Sequence, residues 1–321
     1  MNLKSLAPLA DFGETFYVVD QDFRTQAQGW TKADGTGPLD LHAQRNPGRV
    51  FYTGGVNVSG HSASDAAAIQ AAIDAAVDFR SDKVLFTPGS YTPATVVTVD
   101  CAGIRLQGVP VRAARRAAVT LTDGIGKALT VSADDVELAH MKMVLITADE
   151  IISIADGADG GYIHHVFYDT TGVTANTGTE FVNAAATTKD WLVEDCYFLV
   201  SGLQGDCFTW TTATRWIVQD STFCTMTASY ATVFTLATSC VGNIVRRCYF
   251  TADNDGTYTN IFTGQANSDG QLLVAKCIVN GTTIAGTAVE TGFGTTTDIE
   301  YAENYLTGDA TTEGGTLITL A

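Results

Sequence analysis

The octet WLVEDCYF, from Trp191, is followed by WIVQDSTF from Trp216, NIVRRCYF from Asn243 and LLVAKCIV from Leu272. Related octets start at Ile104, Val136, Gly161 and Ile299, so successive intervals are 32, 25, 30, 25, 27, 29 and 27 residues. Places 1, 3, 6 and 8 are mostly apolar or small, as in Val136, Leu138, Met141 and Met143. Alternation at period two marks a strand, and the step from place 3 to place 6 predicts two short strands joined by a bend. A second apolar burst follows each octet, as in EIISI from Glu150, TEFVN from Thr179 and DCFTW from Asp206. Constant octets at a loose period predict a parallel β-solenoid whose coils, about 83–321, stack ~4.8 Å apart.

Place 6 reads Met141, Val166, Cys196, Ser221, Cys248, Cys277 and Asn304 down the stack. Just past a bend and pointing inward, it favours small side chains, and cysteine serves there as a small hydrophobe. Stacked core thiols explain this column better than a redox or metal ladder. No proline follows Pro110, as expected where nearly every residue serves a ladder or a tight turn. Before the first coil, SASDAAAIQAAIDAAVDF predicts a helix over about 64–79, capped by Ser62 or Ser64, with Ile69, Ala72, Ile73, Ala76 and Val77 on one face. Such a helix would cover the open end of the solenoid.

Only 17% of the 321 residues are charged, so the surface must rest on Thr, Ser, Asn, Gly and Ala, as in turn-rich β-proteins. The net charge of −17 argues against a nucleic-acid partner, which needs clustered Lys and Arg. Residues 1–60 hold six acids and five bases, a net of −1, so the remainder carries −16. That block also has three of the six prolines, which marks a separate segment (1–60) ahead of a β-helix domain (61–321). Seven cysteines without CxxC spacing indicate neither a zinc site nor a disulfide framework, so no metal or cofactor is expected. No apolar run reaches the ~20 residues of a membrane span, and MNLKSLAPLADFGETFY makes a poor signal peptide.

The stretch from Ser64 to Thr92, a helix, then a strand, then the turn Pro88, Gly89, Tyr91, resembles the opening of the right-handed β-helix of pectin-lyase-like proteins. The recurring V-x-x-C-x-F octets resemble its coils. The resemblance covers roughly residues 60–321. It implies an all-β, right-handed, single-stranded parallel β-helix with an N-terminal capping α-helix and a short irregular N-terminal segment. That family includes polysaccharide lyases and hydrolases as well as bacteriophage tailspikes and other virion surface proteins, usually homotrimers. A near-neutral block ahead of the helix resembles the phage members, where it attaches the spike to other virion proteins.

The Asn-Thr-Asp, Asp-Asp, His-Gly and Arg-Ile-Lys signatures of polygalacturonase-like members do not occur in a matching context; Asp134–Asp135 falls in a turn between coils. Places 4 and 5 form the richest polar column: Ala139–His140, His164–His165, Glu194–Asp195, Gln219–Asp220, Arg246–Arg247, Ala275–Lys276 and Ala302–Glu303. A solvated corner with alternating charge accounts for it. As a catalytic strip, it would offer the acid pair Glu194 and Asp220 flanked by His165 and Arg247. The sequence DNDG at residues 253–256 lacks the later glutamate of a calcium loop. Place 2 points outward yet reads Tyr162, Leu192, Ile217, Ile244 and Leu273, and place 7 includes Tyr197, Tyr249 and Ile278. An outward apolar band predicts a covered surface, here a homotrimer interface. Arg112, Arg115 and Arg116 stand out as a partner contact in so acidic a chain. These readings lead to the expectation of a non-catalytic virion surface protein, made in a host cytoplasm and anchored through residues 1–60, with a polysaccharide-binding or depolymerising spike as the alternative.

Overall fold

Each strand of the coils lies beside its own counterpart one coil away. The computed structural model describes residues 16–20, 50–54, 65–280, 299–307 and 316–318, apart from 75, 80, 87–88, 109–116, 125, 148, 172–178, 185–186, 201–205, 227–229, 237–239, 253–257 and 265–271. Arg112, Arg115, Arg116, residues 253–256 and most of 1–60 therefore lie outside the described residues. One coil runs through Tyr162–His164, Phe167–Asp169 and Thr179–Ala184, and the next begins at Leu192–Glu194. Among the described residues this gives an eleven-stranded sheet, a ten-stranded sheet and a seven-stranded sheet, each built of every third strand of the coils. The chain is a right-handed parallel β-helix.

The bend predicted between places 3 and 6 is a left-handed residue at place 5. His140, His165, Asp195, Asp220, Arg247, Lys276 and Glu303 have φ of 58°, 52°, 51°, 51°, 52°, 55° and 53°. Such a conformation costs an ordinary residue roughly 1–2 kcal/mol. Hydrogen bonds up the stack offset it: Arg247 N–H donates to Ala275 O at 3.0 Å, and Lys276 N–H to Ala302 O at 2.9 Å. Place 6 is buried throughout. Its polar members complete the backbone pairing: Asn304 accepts from Cys277 N–H at 2.8 Å and donates to Val274 O, and Ser221 accepts from Cys196 N–H at 3.2 Å.

The interior is filled by like side chains in columns. Phe198, Phe223 and Phe250 stack at centroid distances of 4.5 and 5.0 Å, and Phe208, Phe234 and Phe262 at 5.0 and 5.0 Å. Trp191 stacks on Trp216 at 5.4 Å. Gly161 makes room for it, because a Cβ there would lie 2.3 Å from the Trp191 ring.

The capping helix spans Asp65–Asp74 and buries Ile69, Ala72 and Ile73. It is shorter than the predicted 64–79, and Val77, expected on the buried face, is 49% exposed. Asp82 accepts from Val77 N–H at 2.9 Å, and Phe79 is left-handed at φ 55°, so the chain has already turned away. Gln70 closes the edge of the seven-stranded sheet. Its Oε1 accepts from Thr98 N–H at 2.8 Å and its Nε2 donates to Thr98 O at 3.0 Å, as a neighbouring strand would. Within the 1–60 block, Phe16–Asp20 pairs in parallel with Lys83–Phe86, and Val50–Gly54 pairs with Phe16–Asp20, so both strands extend the eleven-stranded sheet. At the far end Thr316–Ile318 pairs antiparallel with Asn304–Thr307.

All seven cysteines are buried and none forms a disulfide, and burial pushes the Cys196 thiol up to about 12. Cys196, Cys248 and Cys277 are therefore expected to react slowly with a thiol reagent in the native protein and fully after denaturation. Mass spectrometry of labelled peptides checks this, and fast native labelling of all three would contradict the inward place.

Candidate functional site

The polar column at places 4 and 5 is a corner stitched by charge. Arg247 forks onto Asp220, with Nε to Oδ1 at 2.7 Å and Nη2 to Oδ2 at 2.6 Å, and Lys276 lies 3.4 Å from Glu303. Glu194 accepts from the Tyr162 hydroxyl and, at 2.6 Å, from Gln219. The Tyr162 hydrogen bond holds the Glu194 carboxyl below the usual range, and Arg247 does the same for Asp220. Neither has the raised pKa that a proton donor needs. His165 sits elsewhere on the column, against His140 and His164.

The outward apolar residues divide between two sheets. Leu192, Ile217, Ile244 and Leu273 stand in register on the eleven-stranded sheet, each half-buried, with Tyr162 above them. On the ten-stranded sheet Tyr197 is already covered inside the protomer, in a satellite cluster with Phe167, Cys224 and Leu199. Further along, Tyr249, Ile278 and Tyr305 stand one above another and are 38%, 39% and 45% exposed.

The third sheet carries a different arrangement. The second apolar bursts read Glu150-Ile-Ile-Ser153, Glu180-Phe-Val-Asn183, Asp206-Cys-Phe-Thr209, Thr232-Val-Phe-Thr235 and Asn260-Ile-Phe-Thr263. The two middle residues are buried in the first four, and so are Ile261 and Phe262 in the fifth. Their flanking polar residues form two columns. Glu150 pairs in register with Glu180, and Asp206 with Thr232; the offset of Val182 on Phe208, carried back two residues, sets Glu180 on Asp206. The columns meet across a crease: Thr263 Oγ1 lies 3.5 Å from Thr232 Oγ1, and Thr209 stands beside the Glu180 carboxyl, its hydroxyl buried without a hydrogen-bond partner.

Three acids on consecutive rungs, ~4.8 Å apart at the backbone, cannot all ionise freely. Burial pushes the Glu180 carboxyl up to about 7, with repulsion from Asp206, Glu150 and Asp149 adding to it. Its Oε2 is buried without a hydrogen-bond partner. Burial likewise raises Asp206. Glu150 goes the other way: burial opposes its ionisation, but hydrogen bonds from Asp149 and from Lys127 Nζ, at 2.7 Å, outweigh that and hold it below the usual range. Asp149, sharing a hydrogen bond with Glu150, rises to about 6. The crease thus places a carboxyl held below its usual range beside one pushed up to about 7.

No family model and no curated protein matches the sequence. Among solved structures, a pectin methylesterase from Aspergillus niger is 14% identical with a TM-score of 0.57, the match covering 80% of this chain and 86% of that one. A pectin methylesterase from rice weevil is 12% identical with a TM-score of 0.51, covering 78% and 88%. The fold is that of the pectin methylesterases. At these identities the likeness shows the fold alone.

Octet periodicity drew attention to the bend and away from the crease. The signal that would have found the acids is the tetrad of polar, apolar, apolar, polar, repeated in each second burst. Because Glu180 binds its proton more tightly in the folded chain than at its ordinary 4.5, its contribution to stability is full below about pH 4.5 and is lost as pH rises through about 7. Glu180→Gln should therefore raise Tm by about 2 °C or more at pH 8 and flatten the loss of stability between pH 5 and 8, read by calorimetry. An unchanged pH profile would show Glu180 to be ordinarily ionised.

Proposed function

We propose that this chain is a carbohydrate-active β-helix that holds a neutral polysaccharide in the crease of the seven-stranded sheet and hydrolyses it. The observation that carries the proposal is the pair Glu150 and Glu180, in register on adjacent strands, with one carboxyl held below and the other pushed to about 7. Two carboxyl groups whose surroundings drive their pKa values apart divide naturally into a nucleophile and a proton donor. In this reading Glu180 protonates the glycosidic oxygen as that bond breaks, and Glu150 forms a bond to the anomeric carbon. Water then displaces Glu150, giving its proton to Glu180. The rung spacing of ~4.8 Å suits the roughly 5–5.5 Å separation of retaining enzymes. Ser153, Asn183, Thr235 and Thr263 offer a series of hydroxyl and amide groups to sugar hydroxyls. A crease lined with acids, in a chain of net charge −17, repels polyuronates, which is why a neutral polymer is favoured.

The test is hydrolysis of a panel of neutral and anionic polysaccharides, with the anomer of the first product read by NMR. Glu150→Gln and Glu180→Gln should each lower kcat by about 100-fold or more, and the product should keep its configuration. Full activity in both variants, or its loss in Glu194→Gln and Asp220→Asn instead, would move the site to the bend.

A second reading, a homotrimeric virion surface protein attached through residues 1–60 or the Arg112, Arg115 and Arg116 cluster, is favoured by the exposed ladder of Tyr249, Ile278 and Tyr305. Covering such side chains is worth roughly 1.5–3 kcal/mol each. Light scattering should then give a trimeric mass at micromolar concentration, and Ile244→Asp with Ile278→Asp should yield monomers. A monomeric wild-type chain would end this reading.

A further inference from the structure

Three of the five histidines meet at one point of the bend between the eleven- and ten-stranded sheets. His140 comes from place 5 of one coil, and His164 and His165 from places 4 and 5 of the next. One ring nitrogen from each lies within 4.8 Å of the others, and His164 Nδ1 is 2.8 Å from His165 Nδ1. The His164 ring is fixed from outside the group. Tyr162 stacks on His164 at a centroid distance of 4.2 Å, and His164 Nε2 lies 3.1 Å from Glu137 Oε1. Glu137 is itself held by Gln107 and by Arg105, at 3.3 Å.

We propose that His140, His164 and His165 bind a zinc-class divalent cation, with Glu137 as the positioning residue that orients His164. Neutral imidazoles suit Zn²⁺, Co²⁺, Ni²⁺ and Cu²⁺, whereas Ca²⁺ and Mg²⁺ want oxygen ligands. A ligand histidine whose other nitrogen faces a carboxylate is the usual second layer of such centres, because it fixes the tautomer and strengthens the donor. Zn–N bonds of ~2.1 Å set tetrahedral ligand nitrogens ~3.4 Å apart, so rotation of His140 and His165 must open the 2.8 Å contact and draw in the wider ones, which reach no more than 4.8 Å. Three imidazoles leave the fourth tetrahedral position to water. This site is separate from the acidic crease on the third sheet and does not depend on the reading given to it.

The test uses the full-length protein, freed of metal by a chelator and titrated with Zn²⁺ by calorimetry and with Co²⁺ by visible absorption. One equivalent should bind per chain, with the bands of four-coordinate Co²⁺ and without thiolate charge transfer, and a large excess of Ca²⁺ or Mg²⁺ should not compete. His140→Asn and His165→Asn keep a residue that tolerates the left-handed bend, so folding, checked by circular dichroism, should persist. Each should weaken Zn²⁺ by roughly tenfold or more, as should Glu137→Gln. Absence of binding at micromolar Zn²⁺, binding unchanged in both histidine variants, or a thiolate band would overturn the proposal.

Discussion

In a parallel solenoid the hydrogen bonds between coils fix register, so each side chain sits ~4.8 Å above its equivalent in the coil below. Almost every other feature of this chain follows from that constraint. Inside, it turns single aromatic residues into columns, so that Phe198, Phe223 and Phe250 stack face on face. At the bend it repeats one backbone conformation coil after coil, and residues as different as His165, Asp220 and Arg247 all become left-handed. What would be local strain in an isolated turn is held in place by the hydrogen bonds of the turns above and below it.

The same stacking makes electrostatics a property of columns. On the bend opposite charges meet at two steps of the column, Arg247 on Asp220 and Lys276 on Glu303. These pairs are well exposed, and such pairs contribute little to stability; their role is to avoid repulsion between neighbouring rungs. In the crease three acids, Glu150, Glu180 and Asp206, follow one another, and among the described residues only Lys127 is ion-paired with one of them. Burial deepens the conflict, since a dehydrated carboxyl is costly to ionise. Such an arrangement lowers stability at neutral pH, and the proposed acid–base chemistry would account for it.

A solenoid also has two ends, and each would expose unpaired backbone. At the first end the Asp65–Asp74 helix lies across the coil, and Gln70 gives Thr98 the hydrogen bonds a missing strand would have made. Strands Phe16–Asp20 and Val50–Gly54 continue the eleven-stranded sheet beyond its first coil. At the other end the ladder changes sense at Thr316–Ile318, where an antiparallel strand replaces another coil.

The octets were enough to establish the β-helix, its inward places and the cysteine column, because period-two alternation repeated at a near-constant interval admits few other folds. The capping helix was legible too, though its length was not: where it stops depends on Asp82 and Phe79, which act through contacts and backbone conformation that composition does not reveal. The corner at Glu194 and Asp220 was visible as a polar column, while the hydrogen bonds from Tyr162 and Arg247 that hold its carboxyl groups below their usual range were not. Tyr197 read as outward-facing, and only the folded chain shows it covered by its own protomer. Two groupings needed the tertiary structure outright. Glu150, Glu180 and Asp206 stand 30 and 26 residues apart, intervals set by the turns between strands, so only the hydrogen-bond register brings them into one column. His140 meets His164 and His165 only because successive coils bend at the same place. Sequence determines the pattern of a single coil; the register between coils decides which residues become neighbours, and the chemistry of this protein lies between coils.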